Sequence, residues 1–254
     1  MSNDRLWNLP AWVLPTLAMV ILTLLWEAAV RFFSIPLFII PAPSDIAAAT
    51  FQSLGQIPLH TFITLYETVV GFILATVIGV GLGIIIVSSR ILRDTFFPLL
   101  VIAQSVPKVA IAPVLLITLG YGELPKIIIV FLVCFFPIVV STAAGLESAP
   151  REALDLARSM SATTIDTFRK VRFPSAMPQI FVGLKVAVIL AVIGAIIGEF
   201  VGSDRGLGYL ILISMSQANT PLAFGAIAVL ALMSILLFYG MEMLERVVVP
   251  WAQD

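Results

Sequence analysis

The sequence predicts an all-α integral membrane protein with six spans in one transmembrane domain covering residues 1–254, and three observations carry that reading. First, 60% of the residues are hydrophobic and only 11% are charged, more apolar surface than a single water-soluble core can hide. Second, the apolar residues fall in runs long enough to cross a bilayer as helices, at about 12–33, 61–88, 96–119, 127–145, 179–200 and 221–244. Third, five of the fourteen Lys and Arg residues, Arg151, Arg158, Arg169, Lys170 and Arg172, lie in one polar interval, 150–178. A basic loop of that kind belongs on the cytoplasmic side.

Residues 1–10 form a short polar lead with Arg5, and Trp7 and Trp12 stand where indoles favour the membrane interface. The first span ends in Glu27 and Arg31, four residues apart and so able to pair on one helical face. Pro36, Pro41 and Pro43 then break the chain, and Ser44 with Asp45 is read as the cap of a short external interfacial helix ending near Gly55. The second span contains Gly71, Gly79, Gly81 and Gly83, of which Gly79 and Gly83 stand four apart and let a neighbouring helix approach closely. Glu67 lies well inside this span, where a carboxylate must face protein or water.

Arg90 and Arg93 precede the third span. In it Pro107 and Pro113 each remove a backbone hydrogen bond, so carbonyls near 103 and 109 need other partners, as in a kinked helix lining a water-accessible route. Gln104, Ser105 and Lys108 cluster at the first kink and are candidate groups of that route; for Lys108 the competing reading is snorkelling to the interface. The turn GYGELPK leads into the fourth span, which contains Pro137 and Cys134. The fifth span carries Gly183, Gly194 and Gly198, small enough for a partner helix or a passing solute to approach. Its outer end, GEFVGSDRGLGYL, makes Glu199 the candidate outer group of the route and Asp204 and Arg205 candidate contacts for a docking protein. The glycines there are a weak phosphate signal, on the wrong side of the membrane for a nucleotide. The last span leads to Arg246 and an aromatic-anchored tail.

Within 150–178, Leu154, Ala157 and Met160 recur at helical spacing, and Ile165, Phe168 and Val171 repeat the step, which predicts two short amphipathic helices outside the bilayer. Ser161 and Thr163 suit a break and a fresh N-cap between them. Pro174 and Pro178 are expected to stop the second helix.

Glu152-Ala153, Ala157, the turn at Ser161, the run TFRKV and Phe173-Pro174 followed by Pro178 resemble the EAA motif of permease subunits of type I ABC importers. PAPSD at 41–45, VPKVAIAP in the third span and the turns at 120–126 and 202–209 are similar to the branch that carries sulfonates, taurine, nitrate and thiamine precursors, so the resemblance runs over nearly the whole chain. It implies that the 150–178 loop is a coupling helix seated on a cytoplasmic ATPase, with Glu152, Ala153, Leu154, Ala157 and Arg158 from its first half and Met160, Ser161, Ile165 and Phe168 from its second. That family usually has glycine where this chain has Ser161, and serine fits a left-handed turn less easily, so the position is read here as a helix N-cap. The resemblance further implies a second permease chain, in a homodimer or paired with a similar chain, an ATPase dimer holding ATP and Mg, an extracytoplasmic substrate-binding protein, a small anionic or heteroaromatic solute, and no cofactor in this chain.

The residues taken alone exclude much else. One histidine, His60, and one cysteine, Cys134, leave no metal cluster, no cysteine dyad and no disulfide within the chain, which argues against an enzyme. No glycine-rich loop ending in Gly-Lys-Ser or Gly-Lys-Thr is present, so energy must come from a partner. No cleavable signal is evident. With both termini inside a bacterial cytoplasmic membrane, Arg5, Arg90, Arg93, Arg246 and the loop cations fall inside, against Arg31, Lys126 and Arg205 outside, which satisfies the positive-inside rule. Two rival classes remain at this stage. One is a self-sufficient secondary transporter or channel using Glu67 and Lys108, although no internal repeat signals it; the other is a purely structural membrane subunit.

Overall fold

The computed structural model describes residues 13–252; the expected interfacial lead with Arg5, Trp7 and Trp12 lies outside them. The described residues form helices joined by short turns, with no strand among them. In order these are α1 (Val13–Phe32), α2 (Pro43–Gln52), α3 (Ile57–Ser88), α4 (Arg90–Gln104), α5 (Lys108–Leu119), α6 (Glu123–Glu147), α7 (Arg151–Ser159), α8 (Thr164–Thr167), a π-helical turn (Phe168–Arg172), α9 (Phe173–Gly202), α10 (Leu207–Ser216) and α11 (Thr220–Val248). By length and composition α1, α3, α6, α11 and the helical run Thr164–Gly202 can each cross a bilayer, and α4 with α5 adds a sixth candidate as a bent pair.

Prolines decide where these helices differ from expectation. The third span is not one kinked helix: α4 and α5 meet at 87° across Ser105–Pro107. Pro107 has no N–H and disfavours helical geometry at Val106, so the chain breaks there and restarts with Pro107 in an extended conformation. Pro113, expected to act similarly, stays inside α5, as Pro137 stays inside α6. Nor do Pro174 and Pro178 stop the second loop helix. Pro174 falls in the first turn of α9, where a missing N–H costs nothing, and Pro178 is absorbed within α9. The π turn just before it accommodates the change, with the Phe173 N–H donating to the carbonyl of Phe168, five residues back.

The chain divides into two compact units. One contains α1 and α2 with Leu210–Ala228. In it Trp26 and Phe224 lie 6.2 Å apart, and the Thr220 hydroxyl donates to the Phe38 carbonyl at 3.0 Å. The expected Glu27 and Arg31 pair forms at 3.0 Å, and Arg31 also reaches Asp45 at 3.1 Å. Ser44 is not the cap of α2, whose N-cap is Ala42; its hydroxyl donates to Glu27 instead and ties the start of α2 to α1.

The other unit comprises Leu59–Tyr209 with the remainder of α11. Its core runs along α6 and α9, where Val130, Cys134 and Ile138 meet Ile180, Leu184 and Ala191. Glycines set the spacing: a Cβ on Gly71 would sit 2.6 Å from Val130, and one on Gly83 would sit 2.7 Å from Thr142, so α3 lies close against α6, as the small-residue pattern predicts. On α9, Gly194 packs on the backbone of Val130 and Gly198 on the stem of Lys126. Those two glycines therefore serve packing within the chain, not the approach of a solute or a partner helix.

Candidate functional site

The polar loop builds its geometry from its two helix ends. α7 has Glu152 in its first turn and Arg158 in its last, each at the end of the helix dipole that favours its charge. Its C-terminus closes with the Ala162 N–H donating to the Ala157 carbonyl at 3.0 Å and the Ser161 N–H to the Arg158 carbonyl at 2.9 Å, the paired bonds of a Schellman motif. This motif needs a left-handed residue one place beyond the cap, and Ser161 supplies it at φ 55°. Ser161 is therefore not an N-cap. That role falls to Thr163, whose Oγ1 accepts from the Asp166 N–H at 3.1 Å while its hydroxyl donates to the Asp166 carboxylate at 2.6 Å.

The left-handed backbone yields a direct expectation. Ser161→Gly relieves the Cβ strain and is expected to stabilise the protein by up to about 1 kcal/mol, part of the gain being offset by backbone entropy. Melting of the detergent-solubilised protein checks it, with uptake retained; a lower melting temperature than wild type contradicts this account.

The expected apolar stripe splits in two. Leu154 and Phe168 are half-buried and Ala157 is only 9% exposed, all turned towards the chain's own helices. Met160 is 73% exposed and Ile165 points outward too. Leu156, absent from the expected set, is 62% exposed and lies four residues from both exposed Glu152 and Met160. The spacing 152, 156, 160 was available as a signal for this outward face. Ala153 is half-buried and Arg158 is exposed, paired with Asp155 at 2.9 Å.

At the α4–α5 break, Gln104 and Ser105 are exposed and Lys108 is partly so. The break deprives the Gln104 carbonyl of its helical donor, and the Lys108 ammonium takes that place at 3.1 Å while lying 5.2 Å from the centre of the Phe136 ring. Lys108 does not pair with Glu67.

Glu67 instead meets Lys126 in a buried ion pair between α3 and α6, and Lys126 also donates to the Ser203 hydroxyl at 3.1 Å. Lys126, counted in the sequence among the outer cations, is 4% exposed. Glu199, expected on a water-filled route, is likewise buried and fully engaged. It accepts from the Thr64 hydroxyl at 2.6 Å and from the Gly208 N–H, and Thr64 Oγ1 in turn accepts from the Leu207 N–H at 2.8 Å. The Gly206 N–H donates to Nδ1 of His60 at 3.0 Å. Gly206, at φ 109°, and Gly208 both touch the Glu199 carboxylate where a Cβ would sit. The glycine-rich turn thus wraps the chain's own carboxylate and not a phosphate. Asp204 and Arg205 stand exposed at its tip, 3.7 Å apart. His60, Thr64 and Lys126 were missed as partners of this turn. A lone acid inside one apolar run and a lone base at the edge of another was the available signal for the Glu67 pair.

The family described as "Binding-protein-dependent transport system inner membrane component" matches residues 75–253. The chain is 35% identical over 238 residues to the formylaminopyrimidine transport permease protein of Halalkalibacterium halodurans, covering 93% of this chain and 95% of that one. It is 36% identical over 244 residues to the riboflavin transport system permease protein of Chloroflexus aurantiacus, covering 95% and 91% respectively. A solved structure of inward-facing conformations of the MetNI methionine ABC transporter shares the fold, with TM-score 0.62 and 23% identity over 76% of this chain and 94% of that one.

Proposed function

Because this chain belongs to the family of binding-protein-dependent transport system inner membrane components and is the permease subunit of an ABC importer, we propose that it works as a homodimer importing a small heteroaromatic solute. Two relatives that are similar over nearly their whole length are named for a pyrimidine and for riboflavin, and they support that class over a simple inorganic anion. ATP and Mg belong to a separate ATPase dimer, and this chain supplies no cofactor and no catalytic group. An extracytoplasmic binding protein delivers the solute, meeting the turn that carries Asp204 and Arg205. Both termini are cytoplasmic in this reading, and the two units act as one permease domain.

The observation that carries the assembly is the split face of α7 and α8. Leu154, Ala157 and Phe168 bind the loop to its own bundle, leaving Glu152, Leu156, Met160 and Ile165 free to enter a groove on the ATPase. Closure of the ATPases would move that anchored loop as a body and drive alternating access. The α4–α5 break, with exposed Gln104 and Ser105, suits the route, since irregular backbone at membrane depth is tolerated where it lines a cavity.

Proteoliposomes containing this permease, its ATPase and its binding protein are expected to take up a radiolabelled pyrimidine or flavin only when ATP is present with all of them. Uptake by the permease alone, driven by an ion gradient, would overturn the proposal. Uptake of taurine in preference to the heterocycles would overturn the substrate class alone.

A further inference from the structure

A cavity of about 560 Å³ opens between the polar loop and the ends of α3 and α6. Its floor is apolar, made by Ile84 and Val87 of α3 and Leu146 of α6, and Leu154 and Phe168 continue it up the loop side. Its rim is polar, with the hydroxyls of Ser88, Thr164 and Thr167 and the guanidinium groups of Arg158 and Arg172. Those two arginines differ. Arg158 is committed to Asp155, whereas Arg172, half-buried in the π turn, has no hydrogen-bond or ion-pair partner among the described residues. Acids that might have served it are engaged elsewhere: Asp166 with Lys170 and Thr163, and Glu147 with Arg93. The loop as a whole carries five cations against three acids.

We propose that this cavity is a binding site for an anionic phospholipid of the cytoplasmic leaflet, with Arg172 holding the headgroup phosphate and the apolar floor taking the first part of the acyl chains. A half-buried guanidinium without a partner calls for an anion, and its planar fork matches two phosphate oxygens. The floor calls for hydrocarbon on the same molecule, which a free anion lacks. The cavity lies at the ends of two helices long and apolar enough to cross a bilayer, and its volume falls within the usual range of small-molecule sites. An acidic segment of the ATPase fits less well, because Leu156 and Met160 of the loop's outward face do not line the cavity and only Ile165 of that face borders it. A lipid held there braces the loop against its own bundle.

The choice of leaflet rests on the orientation proposed above, but lipid preference does not, since a nanodisc offers the same lipids to both faces. Native mass spectrometry of the full-length permease, released from phosphatidylcholine nanodiscs containing phosphatidylglycerol, is expected to show phosphatidylglycerol retained in preference. Arg172→Gln should reduce that retention about fivefold, the worth of one basic group near a membrane surface, with phosphatidylcholine unchanged and the melting temperature preserved. Arg172→Lys should restore most of it, and Val87→Trp, which fills the cavity with Arg172 intact, should reduce it as well. The proposal is overturned if Arg172→Gln keeps the wild-type preference, or if inorganic phosphate displaces the lipid. It is equally overturned if adding the ATPase expels the lipid and cross-links to Arg172.

Discussion

Lys126→Met is expected to destabilise the protein by about 3–5 kcal/mol, the cost of leaving one partner of a buried ion pair unmatched. Glu67 has no exposed surface, and its second carboxylate oxygen has no hydrogen-bond donor, so the ammonium of Lys126 is what keeps its charge tolerable. The methionine fills the space of the lysine stem against Gly198 and changes little but the charge. Ser203 loses a donor in the same step, which slackens the turn bearing Asp204 and Arg205. A fall in melting temperature on the order of 10 °C corresponds to this loss in a chain of this size. Replacing both members, Glu67→Met with Lys126→Met, should recover most of the stability, because a well-packed apolar pair removes two desolvation costs together. A single Lys126→Met variant that melts like wild type would show that Glu67 has another partner.

Leu156→Asp should separate the ATPase from the permease while leaving the permease folded. Its side chain is 62% exposed in the single chain and, with Met160, offers the apolar anchor that a helix-in-groove contact needs. A charge placed at the buried centre of such a contact costs about 2–4 kcal/mol, or roughly 30- to 700-fold in affinity. Co-purification with the ATPase and ATP-driven uptake should both collapse, with melting of the permease unchanged. Ala157→Asp provides the contrast. Ala157 is turned into its own bundle at 9% exposure, so the same charge there should lower the melting temperature as well. If Leu156→Asp still assembles and transports normally, the outward face of α7 is not the coupling surface.

Much of this protein was legible in order of residues alone. Hydropathy runs located the five long apolar helices, though not the break between α4 and α5, since a bilayer demands long apolar segments whatever the tertiary arrangement. Glycine spacing located the contact of α3 with α6, because close approach of helix backbones excludes side chains at those positions. The motif residues from Glu152 to Pro178 marked the loop that sets this family apart, and helical spacing placed its first amphipathic segment at α7, whereas the second runs on through the π turn into α9 and is not a separate short helix. Proline effects were less legible. Pro107 breaks a span while Pro113, Pro137 and Pro178 do not, and the outcome depends on whether neighbouring helices and side chains take over the freed carbonyl.

What the sequence by itself determined was therefore the long apolar helices and the polar loop between them, which follow from composition and local spacing, while the family was legible only through the resemblance of its motif residues. Tertiary structure alone decided the partners of the buried acids: Glu67 with Lys126, and Glu199 with Thr64 and the N–H of Gly208, lie far apart along the chain or are joined through a turn. It also decided that Ser161 is left-handed and that Ala157 faces inward while Leu156 faces out. The physical reason is that burial in an apolar interior leaves an ionised group little choice but to find a partner, and helix periodicity limits where that partner can stand without saying on which helix it is.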